Sequence, residues 1–147
     1  MSAAPPKHLI VYAEDDADDR ELMQEAFEKY SHCVELMMFA DGASILRYLS
    51  RLSLGGQKPC LIVMDLNLPL LDGQEVVQQL RTMPVYENTP IVFFTTSSQQ
   101  RDQAFARNYR TGFITKPLTY RQMDAITEQL VDACEQGIQN QIRKPAL

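Results

Sequence analysis

The sequence predicts an α/β fold, five successive βα units forming a doubly wound, parallel five-stranded sheet. Three observations predict it. Short apolar runs alternate with amphipathic stretches at helical spacing from Leu9 to Cys134. One run, Cys60–Met64, is apolar at every position, which suits a strand buried on both faces of a parallel sheet. Parallel strands need crossover connections, and the segments between the runs carry helical patterns that supply them on both faces.

Taken in order, residues 1–8 contain Pro5 and Pro6 and read as a flexible leader. Leu9–Ala13 is the first strand and ends in acids. Ala17–Tyr30 places Met23, Ala26, Phe27 and Tyr30 at i, i+3, i+4 and i+7, one face of a helix. Val34–Phe39 is the second strand, and Ala43–Leu52 is a helix through Ile45, Leu46, Leu49 and Leu52. Leu54–Pro59, with Gly55, Gly56 and Pro59, is a loop. The third strand is Cys60–Met64, followed by a helix over Gln74–Met83 that Pro84 closes. Ile91–Phe94 is the fourth strand, Gln99–Tyr109 the fourth helix and Phe113–Thr115 a short fifth strand. Thr119 caps a last helix with the stripe Met123, Ile126, Leu130 and Cys134. The domain spans 9–138, and 139–147 is a frayed C-terminal tail.

Composition narrows the function. The 147 residues fit one domain, with 45% hydrophobic and 22% charged residues. A net charge of −5 gives no electrostatic footprint for nucleic acid. No apolar run approaches the roughly 20 residues of a membrane span, and the N-terminus has no apolar stretch of signal-peptide length. The expected location is the cytoplasm. Cys33, Cys60 and Cys134 form no CxxC pair, so they read as small buried hydrophobes.

In open parallel sheets, sites form beyond the carboxyl ends of the strands. Polar residues occupy those ends: Glu14, Asp15 and Asp16 after the first strand, Asp65 after the third, Thr95 and Thr96 after the fourth, Lys116 and Pro117 after the fifth. Two like charges about 5 Å apart repel by roughly 3 kcal/mol at an effective dielectric near 20. A hard divalent cation relieves that repulsion, and an oxygen-only ligand set suits Mg²⁺. A metal-bound aspartate can act as nucleophile toward phosphorus, with Lys116 supplying further positive charge. The bland counterpart is a buried ion cluster, which is costly without a function.

At these positions the chain resembles the response-regulator receiver family. The resemblance rests on Leu9–Asp16 (LIVYAEDD), Leu61–Gly73 (LIVMDLNLPLLDG), Pro90–Ser98 (PIVFFTTSS) and Gly112–Leu118 (GFITKPL). Within the family it is similar to the small single-domain regulators that serve bacterial phytochromes. The resemblance implies a flavodoxin-like strand order 2-1-3-4-5, with Glu14 and Asp15 holding Mg²⁺ and Asp65 as phosphoacceptor. It further implies that the Asn67 carbonyl ligates the metal, that Thr95 is the switch hydroxyl and Lys116 the phosphate-binding lysine. Pro117 matches a proline whose preceding peptide is cis in many members, and Phe113 stands at the switch aromatic, more often Tyr. Asn108–Thr111 departs from the pattern, one residue short and without the usual glycine after the fourth helix.

The expected function is a phosphorylation switch rather than an enzyme, catalysing only its own phosphorylation and dephosphorylation. Its donor is a sensor histidine kinase or histidine phosphotransferase, docking over Asp19, Leu22, Pro117 and Leu118, with Leu22 exposed. The residues after Thr115 suffice only for a last helix and tail, so output runs through protein contacts, a homodimer among them. Asp18 and Asp19 are read as first-turn helix acids, and Asp72-Gly73 as a helix start. Asp16 is either an N-cap or the holder of a metal-bound water. Thr96, Ser97 and Ser98 either form a polar turn or influence phosphate lifetime. Two rivals share the fold: a pseudo-receiver that works without phosphorylation, and an electron carrier binding flavin mononucleotide. The latter needs a hydroxyl-rich loop where this chain places acids.

Overall fold

The computed structural model describes residues 6–117, 119 and 122–145. Its strands are β1 (His8–Ala13), β2 (Val34–Phe39), β3 (Leu61–Met64), β4 (Ile91–Thr95) and β5 (Gly112–Thr115). All pair in parallel, in the order β2-β1-β3-β4-β5. β1 lies at the turning point of that order, with Val11 beside Met37 on one side and Ile62 on the other. Every residue of β3 and β4 is buried, because helices cover both faces.

The helices are α1 (Ala17–Ala26), α2 (Gly42–Leu52), α3 (Gly73–Leu80), α4 (Gln100–Asn108), α5 (Met123–Asp132) and α6 (Gln136–Arg143). Aspartates start the first three: Asp16, Asp41 and Asp72 each accept a backbone N–H of the first turn. Ile45 and Leu49 of α2, Val76, Val77 and Leu80 of α3 and Ala106 of α4 pack on one face of the sheet. Met23 of α1, Ile126, Leu130 and Val131 of α5 and Ile142 of α6 pack on the other. Cys60 and Cys134 both belong to this second layer, a shared environment that their spacing in the chain conceals.

The structure differs from the sequence reading in four places. The helix expected over Ala17–Tyr30 ends at Ala26 and gives way to a separate 3₁₀ turn, Glu28–Tyr30, and the helix expected over Gln74–Met83 ends at Leu80, short of a 3₁₀ turn at Pro84–Tyr86. Thr119 is not the cap of the last long helix, since α5 starts at Met123 with Gln122 in the cap position. The segment read as a frayed tail is largely helix α6. A helix of eight residues is marginal alone, but Ile142 is fully buried, and Arg143 bonds Asp132 Oδ1 (2.8 Å) and Glu128 Oε1 (3.2 Å).

The fourth difference follows α4. The glycine absent from this turn is replaced by Arg110, at φ +56°. Thr111 N–H donates to Ala106 O (2.8 Å) and Arg110 N–H to Arg107 O (3.2 Å), the paired bonds of a left-handed helix stop. A residue with a Cβ gives up roughly 1–2 kcal/mol in this conformation. Arg81 offsets it: its guanidinium donates to the carbonyls of Tyr86 (2.7 Å), Glu87 (3.3 Å), Thr89 (2.8 Å), Tyr109 (3.0 Å) and Arg110 (3.1 Å). One half-buried arginine thereby ties α3, the 3₁₀ turn and the end of α4 together. At the opposite end of the sheet, residues 53–60 connect α2 to β3, with Leu54 89% exposed and Gly55 at φ +140°.

Candidate functional site

The carboxyl ends of β1, β3 and β5 bring the acids and the lysine together. Oxygen atoms of Glu14, Asp15 and Asp65 all lie within 4.8 Å of one another. Glu14 and Asp65 are buried and Asp15 is exposed. Lys116 Nζ reaches between them, donating to Glu14 Oε1, to Asp65 Oδ2 (3.0 Å) and to Asp19 Oδ2 (2.9 Å). Asp65 Oδ1 accepts the Asn67 N–H (3.1 Å), so both oxygens of this carboxylate are held. Thr95 is fully buried at the end of β4; its carbonyl accepts the Lys116 N–H (2.7 Å) and its hydroxyl the Ser97 N–H (3.3 Å). Gly73 lets α3 start directly against the backbone of Asp65.

Burial raises the Glu14 carboxyl to about 7; the bond from Lys116 pulls it down and the Asp65 charge pushes it up. For Lys116, burial works against the charged form, but hydrogen bonds to Glu14, Asp19 and Asp65 outweigh it and hold the ammonium above the usual lysine range. Tyr12 donates to Glu14 Oε1 (3.4 Å), and burial with the nearby carboxylates keeps its hydroxyl protonated. The chemistry of such a site suits a divalent cation, because its donors are oxygens and its charge is in excess.

The pattern of a response regulator receiver domain matches residues 10–128. The chain belongs to the response regulator receiver family. As a receiver it is a component of two-component signalling, in which such domains work with histidine kinases and phosphotransferases. It is 34% identical over 100 residues to response regulator Rcp1 of Synechocystis, covering 67% of each chain. Among solved structures, the phosphorylated cyanobacterial phytochrome response regulator RcpA superposes with a TM-score of 0.77 at 27% identity, covering 88% of this chain and 97% of that one. The Mn²⁺-bound form of Rcp1 superposes with a TM-score of 0.75 at 27% identity, covering 84% and 94%. The flavodoxin-like strand order is the receiver order, and the flavin-carrier reading falls with the family assignment.

Within the receiver, Phe113 is half-buried beside Phe93 of β4 and packs on the α2–α4 side of the sheet. No peptide bond among the described residues is cis, that preceding Pro117 included. Asp16 caps α1 through bonds to Asp18 N–H (2.8 Å) and Asp19 N–H (3.1 Å). Asp19 departs from the reading as a plain helix acid, because its carboxylate also meets Lys116. Leu22 is half-buried rather than exposed, one wall of a small groove with Asp19, Phe94, Lys116, Pro117 and Met123. Leu118 lies outside the described residues. Sequence reasoning missed Tyr12 and Arg20. Tyr12 looked like one more strand residue, although i and i+2 on a strand share a face with Glu14. Arg20 donates to the Glu14 carbonyl (2.7 Å) from within α1, a contact that no spacing rule signals.

The raised Glu14 carboxyl predicts how metal-free stability changes with pH. Because the folded state holds this proton more tightly than the unfolded chain, the stabilising contribution is complete below the ordinary value of 4.5 and is lost as pH rises through about 7. The ceiling is roughly 3 kcal/mol, at about 1.4 kcal/mol per unit. A divalent cation held by Glu14 would need that carboxyl ionised, so adding Mg²⁺ should stabilise the protein far more at about pH 8 than at about pH 5. Urea melts at both pH values, with Mg²⁺ and with chelator, test this; an equal gain at both would remove Glu14 from the cation site.

Proposed function

We propose that Asp65 accepts a phosphoryl group from the phosphohistidine of a histidine kinase or phosphotransferase in a Mg²⁺-dependent reaction. The observation that carries this reading is the environment of Asp65, a buried carboxylate held by Lys116 and the Asn67 amide beside the Glu14 and Asp15 oxygens. Mg²⁺ would be held by Glu14, Asp15, Asp65 and the Asn67 carbonyl, and it supplies neutralisation of charge on the transferring oxygens. An Asp65 oxygen attacks phosphorus, the P–N bond breaks and its electron pair returns to the imidazole nitrogen, leaving an acyl phosphate. Lys116, now braced by three carboxylates, then turns to the phosphoryl oxygens. The Thr95 hydroxyl donates to the same group and leaves the Ser97 amide.

Incubation with acetyl phosphate and Mg²⁺ should add one phosphoryl mass to the intact chain, removed by hydroxylamine. Absence of any gain would favour the pseudo-receiver reading.

The donor docks over the groove beside the site, formed by Asp19, Leu22 and Pro117, with Leu118 part of the same surface by sequence. Leu22→Glu should slow transfer from the cognate phosphohistidine at least about tenfold, as expected for an apolar anchor worth about 1.4 kcal/mol or more, while labelling by acetyl phosphate stays unchanged. Equal loss from both donors would mean a folding defect instead.

The reading places the receiver in the cytoplasm; among the described residues no helix is long and apolar enough to cross a membrane. Output runs through protein contacts, without nucleic acid, on the face of α4, β5 and α5, where β5 is an edge strand and Phe113 is only half-buried. Completing that burial is favourable by no more than about 1.5–3 kcal/mol. Light scattering with beryllofluoride should show a dimer in the wild type and a weaker one in Phe113→Ala. Unchanged mass in both states, with unchanged amide signals across β5, would remove this face from output.

A further inference from the structure

We infer that Asp102 is a positioning residue that latches the resting form, holding Ser97, and through it the Thr95 hydroxyl and the first turn of α4, against α3. The inference rests on the reading of Asp65 as phosphoacceptor and Thr95 as the hydroxyl that answers it.

The latch is a continuous chain of hydrogen bonds along a cavity of about 450 Å³ between α3 and α4, lined by Leu66, Asn67, Gln74, Ser97, Asp102 and Phe105 among others. Gln74 Nε2 of α3 donates to Asp102 Oδ1 (3.1 Å), and Ser97 Oγ donates to Asp102 Oδ2 (2.6 Å). The same Ser97 oxygen accepts the Gln99 N–H (3.2 Å), and the Ser97 N–H donates to Thr95 Oγ1 (3.3 Å). The hydroxyl thus uses its one proton toward Asp102 and a lone pair toward the helix start.

The start of α4 needs this support. α1, α2 and α3 each begin on an aspartate side chain, whereas Gln99, in the same position before α4, makes no side-chain cap. Ser97 accepts the Gln99 N–H from outside the helix, and Asp102 anchors that hydroxyl from within the first turn. The short bond to a carboxylate is the strongest type available to a hydroxyl.

When the Thr95 hydroxyl turns toward a phosphoryl group, the Ser97 N–H loses its acceptor. A partly buried amide does not stay unpaired cheaply, so Ser97 moves. Its movement parts Ser97 Oγ from Asp102 and from Gln99, so the start of α4 loses its support on Ser97 and is left tied to α3 by the Gln74–Asp102 bond alone. Asp102 therefore opposes activation, and the cavity between α3 and α4 is the first surface to change.

The test compares Asp102→Ala, Asp102→Asn and Gln74→Ala with the wild type, with and without beryllofluoride as the phosphoryl analogue. In Asp102→Ala, amide exchange across residues 99–105 in the resting state should rise to the level of the activated wild type. The beryllofluoride concentration for half-response should fall about tenfold, the equivalent of about 1.4 kcal/mol. Asp102→Asn should restore near wild-type behaviour, since its amide oxygen still accepts from Ser97 and the Gln74 amide can turn to match. Gln74→Ala should move both readings in the same direction by less. Wild-type exchange and half-response in Asp102→Ala, or Asp102→Asn as severe as Asp102→Ala, would overturn the latch. A wild type that ignores beryllofluoride would instead overturn the phosphorylation reading and the activation half of this inference with it, while resting-state exchange in the variants still decides the latch.

Discussion

Asp65→Asn should take up no phosphoryl group from acetyl phosphate or from a phosphohistidine donor, although its fold remains. The amide is the same shape and its oxygen still accepts the Asn67 N–H, which bonds Asp65 Oδ1 at 3.1 Å. Its nitrogen is not a nucleophile at neutral pH, so labelling falls to background rather than to a fraction. The substitution also removes a negative charge that pushes the Glu14 carboxyl upward. Glu14 should therefore titrate lower in the variant, and metal-free stability near neutral pH should be less sensitive to pH. Intact-mass measurement under acetyl phosphate, paired with urea melts, reads both effects. A hydroxylamine-sensitive label persisting at the wild-type rate would move the acceptor to Asp15 or Glu14.

The other large effect is expected at Gly73. A Cβ there would sit 2.4 Å from the Asp65 carbonyl oxygen, 3.0 Å from Leu66 Cα and 3.2 Å from the Asp65 carbonyl carbon. All three neighbours are backbone, so no side chain can rotate out of the way. The Gly73 N–H donates to the Leu66 carbonyl (2.9 Å), which pins α3 to the same short segment. Overpacking commonly takes about 1–3 kcal/mol and sometimes more, and a clash with rigid backbone belongs at the upper end. Gly73→Ala should lose about 3 kcal/mol or more in urea melts. It should also label slowly where it is still folded, since relief of the clash displaces Asp65. Gly137→Ala is the control: a Cβ there meets nothing within 4 Å on α6, so removing a helical glycine should be neutral or gain up to about 1 kcal/mol. A Gly73→Ala protein with wild-type stability and labelling would mean that the loop after β3 is far softer than its contacts imply.

The two substitutions illustrate what was legible in advance. The five strands and their helices were readable because apolar runs and 3.6-residue stripes report directly on burial, and the sheet holds them in the expected order. The gathering of Glu14, Asp15, Asp65 and Lys116 was readable because parallel order sends every strand end to one edge. Contacts within that edge were not. Asp19 looked like first-turn helix chemistry, and only the fold brings it to Lys116, 97 positions away. The sequence reads Leu22 as exposed, yet the fold brings Pro117 and Met123 close enough to half-cover it. The missing glycine after α4 was visible, but not that Arg110 would take its conformation, nor that Arg81 would hold the carbonyls around it. α6 escaped notice because only Ile138 and Ile142 carry its apolar side, too few for a periodicity, and its stability comes from docking.

The loop between α2 and β3 has a practical consequence for engineering. It enters the sheet at the end opposite Asp65, so β3, four residues at roughly 3.3 Å each, separates the two. Leu54 projects into open surroundings, and a Cβ at Gly55 would meet nothing. Lengthening a surface connection is thermodynamically gentle, about 0.6 kcal/mol for each doubling, and exposed loop tips are where inserted domains are accepted. A fluorescent protein spliced between Gly55 and Gly56 would therefore ride on the receiver without crowding either the edge that carries Asp65 or the α4–β5–α5 face. It would turn this small chain into a reporter whose signal follows assembly with its partners while the chemistry at the far end of the sheet runs undisturbed.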